Sequence, residues 1–204
     1  GTTKVYTVII QRELEDQEIR FNTPPSLTYG DQDVQFDVST LSGLPVTYAV
    51  AVNEFVSVTP DGTGINALKA TETLIEITVS VAGNEEFDPG STTVSIPVKK
   101  LQLGIGGPIL SPKSFDGNTS AIVEAGPFFN LVEGDDILVT STGTFDNPAV
   151  GIEKTVIITY SLSGTDASNY LAPADFISDQ GEITPATITG ITFADGTFVF
   201  DGTE

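Results

Sequence analysis

The amino-acid sequence predicts an all-β chain of two tandem β-domains. Three observations carry the prediction: apolar residues alternate with polar ones at a period of two, β-branched residues dominate those runs, and turn-forming residues separate them. The 204 residues suit one large domain or two of roughly 100 each.

In chain order, Val5-Tyr6-Thr7-Val8-Ile9-Ile10-Gln11-Arg12 reads as a closing strand, so residues 1–20 are expected to end or link a preceding domain. Leu14–Ile19 is the one stretch with helix-like spacing, and it is short and acidic. Pro24-Pro25 stiffens an extended lead into the first domain, residues 21–100. There Val34, Phe36 and Val38 share one strand face, as do Val46, Tyr48 and Val50. Ile75, Ile77, Val79 and Val81 continue the pattern, followed by Val94, Ile96 and Val98. Turns are expected at Tyr29-Gly30-Asp31, Ser42-Gly43-Leu44-Pro45, Pro60-Asp61-Gly62 and Gly83-Asn84, because Gly, Asn and Asp tolerate positive φ.

Leu101–Pro112, with Gly104, Gly106, Gly107 and Pro108, has the composition of a junction or a bulged strand. The second domain, residues 101–186, carries the alternating set Val156, Ile158, Tyr160 and Leu162. Its turns fall at Asp116-Gly117-Asn118, Glu133-Gly134-Asp135, Ser163-Gly164-Thr165 and Asp179-Gln180-Gly181. The polar loop Thr165–Asn169 has room for a helical turn, which would favour a β-grasp over a sandwich. Ile183-Thr184-Pro185 closes this domain, and residues 187–204 are expected to start another repeat with a strand at Thr187–Phe193.

Composition narrows the function. Asp and Glu number 28 against 8 Lys and Arg, for a net charge of −20, and His, Cys, Met and Trp are missing. Without Cys there is no disulfide, thiolate nucleophile or zinc ribbon. Without His the chain lacks the side chain that titrates near neutrality and the commonest transition-metal ligand. The acidic balance disfavours nucleic acid, whose phosphates call for Lys and Arg. No apolar run approaches the ~20 residues of a membrane span, so no insertion is expected. No signal peptide is visible, and any targeting signal is expected to lie elsewhere.

Faint repetition is present. Ser114-Phe115-Asp116-Gly117-Asn118-Thr119 returns as Val199-Phe200-Asp201-Gly202-Thr203, about 85 residues later, and Ile77–Pro89 is echoed by Ile158–Pro173. Ser26–Asp31, Ser42–Tyr48 and Ala82–Phe87 resemble the Ig-like repeats of bacterial surface proteins. Ser114–Thr119, followed by Glu133-Gly134-Asp135, Val150-Gly151, Gly164–Tyr170 and Ile183-Thr184-Pro185, looks like the YDG and MBG repeats of bacterial adhesins. The opening Val5–Arg12 is similar to the last strand of a cadherin-like bacterial sandwich. The tyrosine of the Tyr-Asp-Gly signature is Phe115 here, and Phe200 in the second copy. These resemblances imply an Ig-like β-sandwich followed by a second β-rich repeat, sandwich or β-grasp-like. They imply a non-catalytic structural or adhesion segment of a secreted bacterial cell-surface protein, and bring no catalytic residues.

The residues allow few sites. As catalytic carboxylate pairs, the adjacent Glu85-Glu86 and Asp135-Asp136 would point to opposite faces of a strand, while Asp31 and Asp33 would share a face but sit beside a turn glycine. Turn acids could instead supply oxygens to calcium, and the candidate ligands are Asp31, Asp33, Glu133, Asp135 and Asp136, with Asp61 and Asn66 as a further pair. No other cofactor is expected. Phe128 and Phe129 are candidate partner contacts, since one of two adjacent strand residues faces outward. Tyr6, Tyr48 and Tyr160 read as core or sheet-face residues, and Tyr170 as a corner residue that ties a loop to backbone. A Lys–Asn cross-link would draw on six lysines (Lys4, Lys69, Lys99, Lys100, Lys113 and Lys154), most of them at turns or strand ends. Asn118-Thr119-Ser120 is formally a glycosylation sequon. The expected partners are neighbouring repeats of the same chain and a host or matrix protein or glycan. The alternatives to a spacer are a glycan- or protein-binding module and an accessory domain of a polysaccharide-degrading enzyme.

Overall fold

A computed structural model describes residues 3–4, 12–190 and 196. Among them the regular structure is strand, apart from one 3-10 turn at Ala167–Asn169, so the chain is all-β as the alternation predicts. The short strands β1 (Ile19–Phe21), β2 (Leu27–Thr28), β3 (Val38–Thr40), β4 (Val46–Val50), β5 (Val56–Val58) and β6 (Ile65–Ala67) come first. The long β7 (Thr71–Val81) and β8 (Gly90–Lys99) follow, then β9 (Leu101–Gln102). The remainder are β10 (Ile109–Ser111), β11 (Lys113–Ser114), β12 (Ser120–Glu124), β13 (Leu138–Phe145), β14 (Gly151–Ser163), β15 (Tyr170–Leu171) and β16 (Phe176–Thr184). Two compact units result, neither continuous in sequence. The first takes Gly1–Gly104, Phe128–Leu138 and Leu162–Pro173; the second takes Ile105–Pro127, Val139–Ser161 and Ala174–Glu204.

In the first unit, a four-stranded sheet runs in the order β2-β8-β7-β4, antiparallel except for β2, which lies parallel to β8. The pairs β1–β3 and β5–β6 complete the layers. Ile75, Ile77, Val79 and Val81 are all buried along β7, as period two requires. Ile75, Ile77 and Val79 join a core with Leu27, Phe36, Tyr48, Val56, Ile65 and Val98. Each fully buried Ile or Val there stabilises the fold by about 1.5–3 kcal/mol. β9 pairs in parallel with β15, bringing residues far apart in sequence side by side. The helix-like spacing of Leu14–Ile19 does not form a helix. Glu15 exchanges backbone hydrogen bonds with Glu86 and Asp88, and Ile19 opens β1, so partners across the sheet outcompete a short, uncapped turn.

The second unit is a sheet in the order β10-β12-β13-β14-β16-β11. β10 and β11 are two halves of one segment interrupted by Pro112, one antiparallel to β12 and the other parallel to β16. The sheet therefore closes on itself and leaves no long free edge. Phe145, Val156, Ile158 and Ile183 fill its interior, with Leu110, Ala121, Val123 and Tyr160 packed against them. So narrow an interior needs glycine at some inward positions. A Cβ on Gly143 would meet the Ala121 Cβ at 2.9 Å. On Gly181 it would lie 2.6 Å from both Phe145 Cε1 and Val156 Cγ2.

That geometry corrects one expected turn. Asp179-Gln180-Gly181 lies inside β16, where the glycine serves close strand approach rather than positive φ. The turn glycines Gly30, Gly43, Gly62, Gly117, Gly134 and Gly164 do adopt positive φ. The helical turn allowed for in Thr165–Asn169 is present at Ala167–Asn169, within the first unit. Thr187–Gly190 form no strand, while Val5–Gln11, Ile191–Phe193 and the echo Val199–Thr203 lie outside the described residues.

Candidate functional site

The most organised polar cluster belongs to the first unit and draws on three stretches of chain. Tyr29 follows β2, Asp135 follows the Gly134 turn, and Tyr170 opens β15. Both tyrosines are buried, 7% and 2% exposed, with ring centroids 5.4 Å apart in edge-to-face packing. The Tyr29 hydroxyl lies 2.8 and 2.9 Å from the two Asp135 carboxylate oxygens, and the Tyr170 hydroxyl donates to Oδ2 at 2.5 Å. The Tyr170 oxygen also accepts the Val132 N–H at 2.9 Å, the loop-to-backbone tie expected of this residue. Burial, reinforced by the Asp135 hydrogen bond, raises the Tyr29 hydroxyl well above its ordinary range and pushes Tyr170 up to about 12. With both hydroxyls committed to one carboxylate, the cluster holds segments together.

Two buried lysines of the second unit have a matching arrangement. Lys113 Nζ is 2.7 Å from Asp116 Oδ1 and donates to Asn118 Oδ1 at 2.8 Å and to the Asn118 and Ser120 carbonyls. Asn118 Nδ2 closes the ring on Asp116 Oδ2 at 2.6 Å. Lys154 repeats it, with Asn147 Oδ1 at 2.7 Å, Asp146 Oδ1 at 3.3 Å, and Asn147 Nδ2 bonded to Asp146 Oδ2 at 2.8 Å. Position in sequence placed the lysines at turns and strand ends, whereas these two are only 6% and 8% exposed. Lys154 was legible, since it extends the inward parity of Val156 and Ile158 by one step. Lys113 was not, because Pro112 breaks the parity.

Each ammonium thus lies within reach of an asparagine carbonyl, the pairing a cross-link would need. The aspartates are about half exposed, and the Lys113 hydrogen bond holds the Asp116 carboxyl below its ordinary range. A paired ammonium has no lone pair with which to attack an amide, so the triads clamp turns ionically. Intact-mass spectrometry is expected to find the full chain mass; a loss of about 17 Da, the ammonia released by amide exchange, would contradict the ionic reading. Glu153, beside Lys154, sits at φ 52°, a left-handed conformation costly for its side chain. Glu153→Gly is expected to raise stability by about 0.5–1 kcal/mol, read as a higher urea midpoint at unchanged slope.

The other predicted site residues are dispersed. Asp31 accepts the Thr28 N–H at 2.7 Å and closes its own turn. Asp33 has φ 51° and donates its N–H to Asn66 Oδ1, so Asp31 and Asp33 do not follow strand alternation. Asp61 binds the Thr59 hydroxyl and the Thr63 N–H. Glu133 is exposed and Asp135 is taken up by tyrosines, while Asp136 faces the Thr165 and Asp166 backbone. Among the described residues no three acidic side chains are grouped to hold a metal ion. Glu86 faces Arg12 at 3.4 Å, an exposed pair. Phe128 and Phe129 are both exposed, at 36% and 73%. A surface cleft of about 540 Å³ in the first unit is lined by Phe36, Val38, Leu44, Pro45, Val46 and Tyr48, with no carboxylate or lysine. No helix among the described residues is long and apolar enough to cross a membrane.

The signature turn Phe115-Asp116-Gly117 is therefore a lysine-clamped turn, with Gly117 at φ 78° and the Phe115 ring 43% exposed. Residues 98–176 match the family model of the YDG domain. This supports a YDG/MBG-type domain in the second half of the chain. The YDG-type range draws on both units, for it contains Phe128–Leu138 and Leu162–Pro173 of the first and most of the closed sheet of the second. The crystal structure of human Protocadherin-24 EC1-2 aligns with 79% of this chain and 92% of its own, at 9% identity and a TM-score of 0.27. A second crystal form gives 76% and 88%, at 10% identity and a TM-score of 0.25. Likenesses this distant carry no functional argument. No curated protein matches the chain.

Proposed function

We propose that the chain is a non-catalytic structural or adhesion segment of a secreted bacterial cell-surface protein, spacing or presenting a binding domain. The observation that supports this reading most is the use made of the buried polar groups. Asp135 is occupied by two tyrosines, Lys113 and Lys154 by their own turns, and Asn169 by the Ala70 N–H. Groups committed in this way hold a fold rigid rather than bind or transform a substrate. The net charge of −20 keeps such a segment soluble and repels like surfaces over the ~8–10 Å set by physiological salt. Its partners in this role are the neighbouring repeats. The test is to replace the segment, within the full-length protein, by an unrelated rigid β-domain of equal length. Adhesion should survive the exchange and fall on simple deletion; loss on exchange would refute the spacer role.

Phe129 favours a second reading, a module that binds host protein or glycan. Its exposed ring beside Phe128 is the apolar contact such a module needs. A glycan and matrix-protein binding screen with Phe128→Ala/Phe129→Ala separates the two readings. A signal abolished by the substitutions would favour the module.

A further inference from the structure

We infer that residues 128–138 and 162–173 of the YDG-type segment are a docking surface for the β2 end of the β-sandwich that precedes them in the same chain. The Tyr29–Asp135–Tyr170 contact locks the two into one cooperative folding unit. Apart from the ends of β14 and β13, these stretches contribute little regular structure of their own, chiefly β15 and a 3-10 turn, yet their polar groups are spent on the sandwich and on the junction that follows it. Asn169, 5% exposed, accepts the Ala70 N–H at 3.0 Å. Asn130 accepts the Gly104 N–H at 2.6 Å and donates to the Gln102 carbonyl at 2.7 Å. Gln102 in turn donates to the Ala172 carbonyl at 2.7 Å, and the Leu103 N–H reaches the Leu171 carbonyl at 3.1 Å.

The fit is steric as well as polar. Gly30 stands at φ 87°, and any Cβ there would meet Val132 Cγ2 at 2.9 Å, so the Tyr29-Gly30 turn is shaped to receive Val132. Tyr29 is fixed from the sandwich side by its own N–H, which donates to the Lys99 carbonyl at 2.8 Å. Two separate parts of the sandwich, Tyr29-Gly30 and Ala70, are therefore gripped at once, while Asn130, Leu171 and Ala172 fix the 102–104 junction that follows its last strand. Contacts that share burial in this way break together, as a single cooperative unit. The surface recognises a β-sandwich offering a tyrosine–glycine turn beside its last strand. The Tyr29–Asp135–Tyr170 contact is a latch within the first unit.

Hydrogen exchange on the full chain tests this. Asp135→Asn should speed exchange at least about ten-fold, and by a common factor, at Val132, Ala70, Leu103 and Gly104, although only Val132 neighbours the substitution. Tyr170→Phe, which keeps the ring and removes the hydroxyl, is the second variant if Asp135→Asn folds poorly, and should give the same set. Asn169→Ala, which breaks a different tie, should speed exchange at Val132 as well as Ala70. Acceleration confined to the amide next to each substitution would overturn the inference. The readout involves no ligand, so a chain found to bind a glycan would end the spacer reading and leave the latch standing.

Discussion

Gly181→Val is expected to destabilise the closed sheet by about 3 kcal/mol, the upper range for over-packing a filled core. The added side chain starts from a Cβ 2.6 Å from Phe145 Cε1 and Val156 Cγ2 and 2.8 Å from the Lys154 carbonyl oxygen. Phe145 and Val156 are 3% and 0% exposed, so neither can swing into solvent. The Lys154 carbonyl belongs to the β14 backbone, and its retreat would disturb the pairing of Lys154 with Gly181. Urea unfolding should show a lower midpoint. Combining Gly181→Val with Phe145→Ala should cost less than the two single losses added together, because the second change vacates the space the first requires. Strict additivity would mean that the two sites do not compete for volume.

The second large effect is at Asp135. Asp135→Ala leaves two buried tyrosine hydroxyls without their shared acceptor, and should cost the first unit about 2–4 kcal/mol in chemical denaturation. Tyr29→Phe/Asp135→Ala, which removes one of the orphaned hydroxyls, should recover part of that loss. The same cluster sets an alkaline limit. Both tyrosines titrate higher in the folded chain than their unfolded value near 10, so the folded state favours their neutral forms. Their contribution is fully present below pH about 10 and is lost as pH rises toward 12, where a phenolate would face the Asp135 carboxylate. A thermal-midpoint series should therefore fall from about pH 10 upward, and less steeply in Tyr29→Phe/Tyr170→Phe.

The alternation in β7 and β14 was legible because a strand presents every second side chain to the same face whatever packs against it. Ile75, Ile77, Val79, Val156 and Ile158 are buried as their spacing predicts. Most turn glycines were legible for a similarly local reason, since positive φ is a property of the residue itself. Gly181 was not, because the glycine there answers to the approach of a neighbouring strand. The helix-like spacing of Leu14–Ile19 is overridden from a distance as well, since its backbone partners lie some seventy residues away at Glu86 and Asp88.

By itself, then, the sequence determined the strand class, the faces of the long strands, most of the turns, and the absence of thiol and imidazole chemistry. Tertiary structure alone decided that Tyr29, Asp135 and Tyr170 meet, that Lys113 is buried, and that segment 109–114 closes the second sheet. The division has a physical cause. Side-chain alternation and φ preference act within a few residues, whereas the partner of a buried hydroxyl or ammonium is set by where distant backbone brings an oxygen within about 3 Å.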